Sequence, residues 1–255
     1  MQQTAQPLEV IVVDNNCTDK TTDIARGYKS VKIVKETNQG RGYARSTGFN
    51  VAKGDIIARV DADCVPAPGW VERLQQDFTD AELSGVTGLA QANTLPILTG
   101  VYSTFWSRMY FWTTHSYFDV ITMWGANMAV RRSSWEEVKD NLVLDDSLVH
   151  EDQDLSIAMI GQGFVIRQDN RLLVHMRDRS FMYVPKFWEY VRRAIQTKHY
   201  HQSKHTLPPA NKLKISFWSN LPGAIVGWLC AVVFASGIFL LWPITAFLFR
   251  YNKLD

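Results

Sequence analysis

The sequence predicts an α/β protein with a mainly parallel sheet flanked by helices, followed by a C-terminal transmembrane helix. Three observations carry that expectation. From Leu8 to Leu89, short β-rich runs alternate with stretches of helical period. Two acidic clusters, Arg59-Val60-Asp61-Ala62-Asp63-Cys64 and His150-Glu151-Asp152-Gln153-Asp154-Leu155, each adjoin an apolar stretch. From Ile215 to Phe249 no residue is charged, a run longer than the ~20 residues that cross a bilayer.

The elements follow in order. Leu8 to Val13 reads as a strand, and Asp19 to Tyr28 as a helix with Thr18 at its N-cap. Val31 to Val34 is a strand, Gly42 to Ala52 a helix and Asp55 to Val60 a strand. Pro68 to Phe78 is a helix, with proline allowed in its first turn, and Ser84 to Leu89 is a strand. Repeated β-α-β units imply parallel strands covered by helices.

The first acidic cluster follows the apolar run Ile56-Ile57-Ala58. Its carboxylates therefore fall at a strand end, where open α/β sheets bind ligands. Asp61 and Asp63, at i and i+2, suit a hard divalent cation, because Mg²⁺ or Mn²⁺ takes oxygen ligands and bridges carboxylates to phosphates. A surface acidic turn is the competing reading, and Asp152 and Asp154 form a second Asp-x-Asp. The second cluster opens the apolar-periodic stretch Leu155-Ile157-Ala158-Met159. It reads as the first turn of a helix, where a carboxylate can act as a general base.

Composition excludes several classes. A net charge of +2 and the lack of a basic, aromatic-interleaved stripe in the first half argue against nucleic-acid binding. Cys17, Cys64 and Cys230 are scattered, with neither a disulfide framework nor zinc spacing. The polar start Met1-Gln2-Gln3-Thr4 is not a signal peptide. Gly40 and Gly42 lack the third glycine of a dinucleotide fingerprint. Oligomeric state leaves no signal.

The tail reads differently. Lys212 and Lys214 precede the uncharged run, and Arg250 and Lys253 follow it. Pro222-Gly223 and Pro243 interrupt it, so one tilted span or a re-entrant hairpin is expected. Lys186, Arg192, Arg193 and Lys198, interleaved with Phe187, Trp188 and Tyr190, read as a membrane-surface helix on the cytoplasmic side; a solvated helix face is the alternative. The expected divisions are a folded domain over 1–182, a surface segment over 183–214, a span over 215–249 and a tail over 250–255. Tyr102, Phe105, Trp106, Met109, Tyr110 and Thr113 have helical spacing and read as a packed face or a lipid-touching one. Trp124 suits either sugar stacking or core packing. His175 is a structural histidine or a ligand, and Arg177 and Arg179 are exposed loop residues or phosphate contacts.

Five segments in order resemble the family 2 glycosyltransferases, with their GT-A fold. They are Val10-Ile11-Val12-Val13-Asp14-Asn15-Asn16-Cys17-Thr18-Asp19, Asn38-Gln39-Gly40 through Gly48, Gly54-Asp55-Ile56-Ile57 leading to Asp61-Ala62-Asp63, Gly125-Ala126-Asn127 through Arg132, and Glu151-Asp152-Gln153-Asp154-Leu155. The resemblance covers Leu8 to about Val174, with Ser46 where the family has asparagine. It implies a nucleotide-sugar donor, a lipid or glycan acceptor at a membrane, and Mg²⁺ or Mn²⁺. It places Asp14 and Asn15 near the nucleotide base and Arg45 at the nucleotide. Asp61 would contact the ribose or the metal shell, and Asp63 the cation. Trp124, Gly125 and Asn127 would lie on the acceptor side. Asp152 would be the base, with Glu151 supporting it, and one base with in-line attack gives inversion. The Gln-x-x-Arg-Trp motif of processive members is absent, which implies transfer of a single sugar. The family's opening Pro-x-Tyr-Asn-like turn is also absent, so the chain is expected to lack an N-terminal first strand and helix. A catalytically inactive, truncated remnant that binds a membrane or partner is the competing expectation.

Overall fold

The strands and helices expected before residue 90 all form, their ends shifted by a few residues. The computed structural model describes residues 3–92, 120–176 and 184–208, with 107, 108, 110, 111, 114, 115, 117 and 118 between them. The order is β1 (Val10–Asp14), α1 (Thr21–Arg26), β2 (Val31–Lys35), α2 (Arg41–Val51), β3 (Ile56–Val60), β4 (Cys64–Pro66), α3 (Trp70–Asp77) and β5 (Leu83–Ala92). It continues with β6 (Asn127–Arg131), α4 (Arg132–Val138), α5 (Glu151–Gly161), β7 (Val165–Met176) and α6 (Val184–Ser203). At α1 the Asp19 carboxylate, rather than Thr18, accepts from the first-turn Thr21 N–H, at 2.9 Å.

The expectation of a mainly parallel sheet is corrected. The larger sheet has the order β3-β6-β5-β7-β4 and is mixed. β6 runs antiparallel to both β3 and β5, β4 runs antiparallel to β7, and only β5 and β7 pair in parallel. The alternation of apolar runs and helices looks the same whichever way each strand points, so strand direction was not legible in it. β7 escaped notice because its middle, Arg167-Gln168-Asp169-Asn170-Arg171, is polar, and β4 because it is short and contains Pro66.

The expectation that an N-terminal first strand and helix are missing is also corrected. β1 and α1 open the fold, and β1 pairs in parallel with β2 from Val10↔Val31 to Asp14↔Lys35. The expectation rested on an absent turn motif, and a turn motif is not needed to close the hydrogen-bonded β1-α1-β2 unit. Residues before β1 are tied down as well. The Thr4 N–H donates to the Pro68 carbonyl at 2.9 Å, and the Gln3 amide to that of Ala67 at 2.7 Å.

No described helix is long and apolar enough to cross a membrane. The expected transmembrane helix and the single-pass or re-entrant location inferred from it are therefore not found. The run from 215 to 249 that prompted them lies outside the described residues, as do Arg177, Arg179, Lys212 and Lys214. So do Tyr102, Phe105, Trp106, Met109 and Thr113 of the expected aromatic face.

The sheet is packed on both faces, as a sheet in an α/β domain must be. On one face Trp70, Leu74 and Phe78 of the α3 region cover Val86, Ala90, Ala129, Leu172 and Val174. On the other, Phe49 of α2, Trp135 and Val138 of α4, and Leu155 and Met159 of α5 cover Ile57, Met128, Val130 and Ile166. Trp135 meets Phe49 edge-on, with ring centroids 5.0 Å apart. Strand period 2 puts Arg59 on the face of Ile57, the face that α2 and α5 cover. That places a charge under the N-terminus of α5.

Candidate active site

The two acidic clusters, about 90 residues apart in sequence, meet across this face. Arg59 joins them. Its guanidinium donates to Glu151 Oε1 at 2.7 Å and lies 3.3 Å from Asp61 Oδ1. β3 delivers Asp61 and Asp63 at its end, and α5 begins at Glu151. The half-exposed Asp61 side chain (42%) faces outward, while Glu151 and Asp152 are each 2% exposed. Asp63 is exposed, and the Cys64 thiol lies 3.8 Å from its carboxylate.

Asp152 is held from two sides. The Gly125 N–H donates to its Oδ2 at 2.9 Å, and His150 Nδ1 lies 2.5 Å from its Oδ1. Burial pushes the carboxyl upward. The His150 imidazole, the Gly125 N–H and the Arg59 guanidinium outweigh that and hold it well below the usual carboxylate range. Conversely, burial lowers His150, and the Asp152 and Glu151 carboxylates outweigh it, so its pKa rises above the usual 6.5. Burial raises Asp61; the Arg59 guanidinium opposes this, and the Glu151, Asp152 and Asp63 carboxylates add to it. Negative charge thus converges at the strand end, which is where a cation is best accommodated. Cation-binding groups are present: His150, Glu151 and Asp152 each offer one ligand atom within 4.8 Å of the others.

The remaining expected residues fall in several places. Asp14 ends β1, and its Oδ1 accepts from the Cys17 N–H at 2.9 Å. The Asn15 amide donates to the Asn38 carbonyl at 2.6 Å and accepts from the Gly40 N–H at 2.9 Å, so it holds the loop that starts α2. Arg45 is 4% exposed and donates to the Glu151 carbonyl, beneath the site rather than on an open rim. Burial is the main influence on it and lowers its pKa. Trp124 is half-buried, its ring 5.4 Å from that of Tyr110. Asn127 is fully buried; its amide donates to the Leu89 and Leu172 carbonyls at 2.9 and 2.8 Å and accepts from Trp70 Nε1 at 2.8 Å. Its hydrogen bonds tie the sheet to α3, and Gly88 makes room for it, since a Cβ there would lie 2.4 Å from the Asn127 amide nitrogen.

The surrounding frame comes from residues with no expected role. Asp146 caps α2, accepting from the Arg41 and Gly42 N–H groups at 2.7 and 3.0 Å. The Thr197 hydroxyl of α6 accepts from the His150 N–H at 2.7 Å, and His201 Nε2 lies 3.1 Å from Asp154 Oδ1. Arg193 and Thr197, read as part of a surface segment, are buried against this frame. Arg59 and His150 are the site residues that sequence reasoning passed over. A charge in step with Ile57 on the covered face of a strand was the available signal for Arg59.

The family 2 glycosyl transferase model matches residues 1–138 of the 255. The chain belongs to glycosyl transferase family 2. The match runs through β6 and ends before α5. Among curated relatives, the chain is 31% identical over 174 residues to the probable glycosyltransferase YdaM of Bacillus subtilis, covering 63% of this chain and 41% of that one. It is 43% identical over 70 residues to the glycosyltransferase AglE of Haloferax volcanii, covering 26% of this chain and 23% of that one. The chain thus spans less than half the length of these relatives. The fold is similar to that of the mannosyltransferase PcManGT of Pyrobaculum calidifontis, solved with GDP-Man and Mn²⁺. The TM-score is 0.59 at 18% identity, over 94% of this chain and 74% of that one. It is also similar to S. aureus TarS in complex with UDP-GlcNAc, with TM-score 0.50 at 16% identity, over 79% and 63%. At these identities the likeness concerns the fold, which is GT-A-like.

The buried His150–Asp152 pair carries a pH signature. A raised His150 pKa stabilises the fold fully below the unfolded value of about 6.5, and that contribution is lost as pH rises through the folded value. We expect His150→Ala to cost about 1.5–3 kcal/mol near pH 6, as for a hydrogen bond to a charged group. Urea unfolding should show the gap from wild type narrowing toward pH 9. A gap that widens with pH would contradict the pairing.

Proposed function

We propose that the chain is an inverting glycosyltransferase that moves a single sugar from a nucleotide-diphosphate sugar to a hydroxyl acceptor, with residues 1–182 as its catalytic domain. Family membership supports the reaction class. The observation that carries the mechanism is the anchored, ionised Asp152, set beside a strand end that bears Asp61 and Asp63.

In this reading Asp152 accepts the proton of the acceptor hydroxyl. The freed oxygen attacks the anomeric carbon from the face opposite the leaving group. The bond to the diphosphate breaks, its electron pair leaves with the nucleoside diphosphate, and the configuration inverts. Gly125 and His150 keep the Asp152 carboxylate oriented and charged. Glu151 supports it through Arg59. Asp14 and Asn15 stand by the base, Arg45 backs the nucleotide side, and Trp124 with the Gly125 backbone borders the acceptor. The outward-facing oxygens of Asp61 and Asp63 fit a hard divalent cation, Mg²⁺ or Mn²⁺, which when bound neutralises charge on the diphosphate leaving group. Within the acid helix, Glu151 Oε1 takes Arg59 and Asp152 takes Gly125 and His150, while Glu151 Oε2 is buried without a hydrogen-bond partner and is the oxygen left there for a cation.

The test is release of nucleoside diphosphate from UDP-, GDP- and dTDP-sugars by the purified chain with Mn²⁺, with and without small hydroxyl acceptors. Turnover of one donor with an inverted product supports the reading. Failure of the chain to bind or turn over any of them, or a product with retained configuration, contradicts it.

A further inference from the structure

The Arg59 side chain touches three parts of the candidate site at once. One guanidinium nitrogen donates to Glu151 Oε1 at 2.7 Å, and another lies 3.3 Å from Asp61 Oδ1. Its plane also rests on Gly125, where an added Cβ would come within 2.9 Å of the guanidinium carbon. Gly125 is in turn the residue whose N–H holds Asp152. We propose that Arg59 is a positioning residue that locks the Asp61 turn to the start of α5, so that the donor-side and acceptor-side carboxylates keep one geometry. This rests on the transferase reading above.

Arg59 is 17% exposed and Glu151 2% exposed, so the pair is largely withdrawn from water. Without the guanidinium, the buried Glu151 carboxylate loses its direct ion-pair partner and keeps the charges of Arg45 and Arg41. Only a planar fork with several donors can serve Asp61 and Glu151 together; a lysine ammonium is a single point charge on a flexible stem. The glycine completes the device, because any side chain at position 125 would lift the guanidinium off the strand. Movement of Asp61 on ligand binding is therefore transmitted to Glu151 through one rigid group rather than through the main chain, which is about 90 residues longer by sequence.

The experiment is calorimetric titration of GDP and of UDP, each with Mn²⁺, into wild type, Glu151→Gln, Arg59→Lys and the double variant. Glu151 lies behind Arg59, yet Glu151→Gln should weaken nucleotide binding about 5- to 10-fold. Arg59→Lys should do the same, and the double variant should be no weaker than either single one. A purely structural role would reduce the folded fraction and leave the Kd of the folded protein unchanged. An unchanged Kd in Arg59→Lys, or losses that add in the double variant, would overturn the proposal. Should Arg59→Lys not fold, Gly125→Ala carries the test, since it keeps the arginine and only displaces it. The same loss of affinity is expected there, and unaltered binding overturns the idea. Wild type that binds neither nucleotide removes the transferase reading, and this inference with it.

Discussion

Asp152→Asn lowers turnover by about 10²-fold or more while donor affinity survives. The substitution keeps the shape of the side chain, and its carbonyl oxygen can still accept from the Gly125 N–H that now sits 2.9 Å from Oδ2. What it loses is the capacity to take a proton. The carboxyl lies well below its usual range because His150, Gly125 and Arg59 outweigh its burial. A depressed carboxyl is ionised above its unfolded value of about 4 and loses its charge only as pH falls through the lower folded value. The base-dependent limb of the wild-type rate profile is therefore expected on the acid side, with no loss between pH 6 and 8 from this group. Steady-state kinetics and donor titration together make the test. If donor binding and turnover fell together, Asp152 would belong to the nucleotide pocket or the core.

Asp63→Ala is expected to abolish cation-dependent nucleotide binding and to reduce transfer by about 10²- to 10³-fold, since a bound cation contributes several kcal/mol to a charged leaving group. The reason is geometric. Asp61, the other carboxylate at the strand end, is engaged by Arg59 at 3.3 Å, whereas Asp63 is exposed beyond it. Glu151 and Asp152 lie on the inner side of Arg59, each 2% exposed, and do not stand at the outward position that Asp63 holds. The measurement is nucleotide titration with and without Mn²⁺, and transfer assayed with a chelator. Near-normal activity of the variant in chelator would remove Asp63 from any metal role.

Local patterns were legible where packing agrees with them. The apolar period placed β1, β2, β3 and β5 and the helices between them; β3 and β5 feed the core, whereas β1 is half-buried along its whole length. The acidic helix start at Glu151 was legible for the same reason, since Leu155 and Met159 give α5 its core face. Long-range pairing was not legible. Nothing in Asn127 to Arg131 states that the strand enters between β3 and β5 and runs against both. The uncharged tail is a different matter: its hydropathy suggested a spanning helix, no described helix qualifies, and the run itself lies outside the described residues. Asn127 illustrates a third case. Its motif pointed to the acceptor, and its buried side chain bonds two strand carbonyls, those of Leu89 and Leu172, and the Trp70 indole of α3.

By itself, the sequence determined an α/β chain of family 2 type with carboxylates at a strand end and at a helix start. Those features depend on residue type and spacing, which period 2 and period 3.6 convert directly into faces and ends. Only the tertiary structure decided that the two carboxylate groups share one site. It also decided that Arg59 stands between them, that Gly125 and His150 hold Asp152 ionised, and that α6 closes the frame through Thr197 and His201. Such contacts join residues far apart in the chain. They exist because burying one face of the sheet forces α2 and α5 onto it, and a charge caught beneath them must find its partner there.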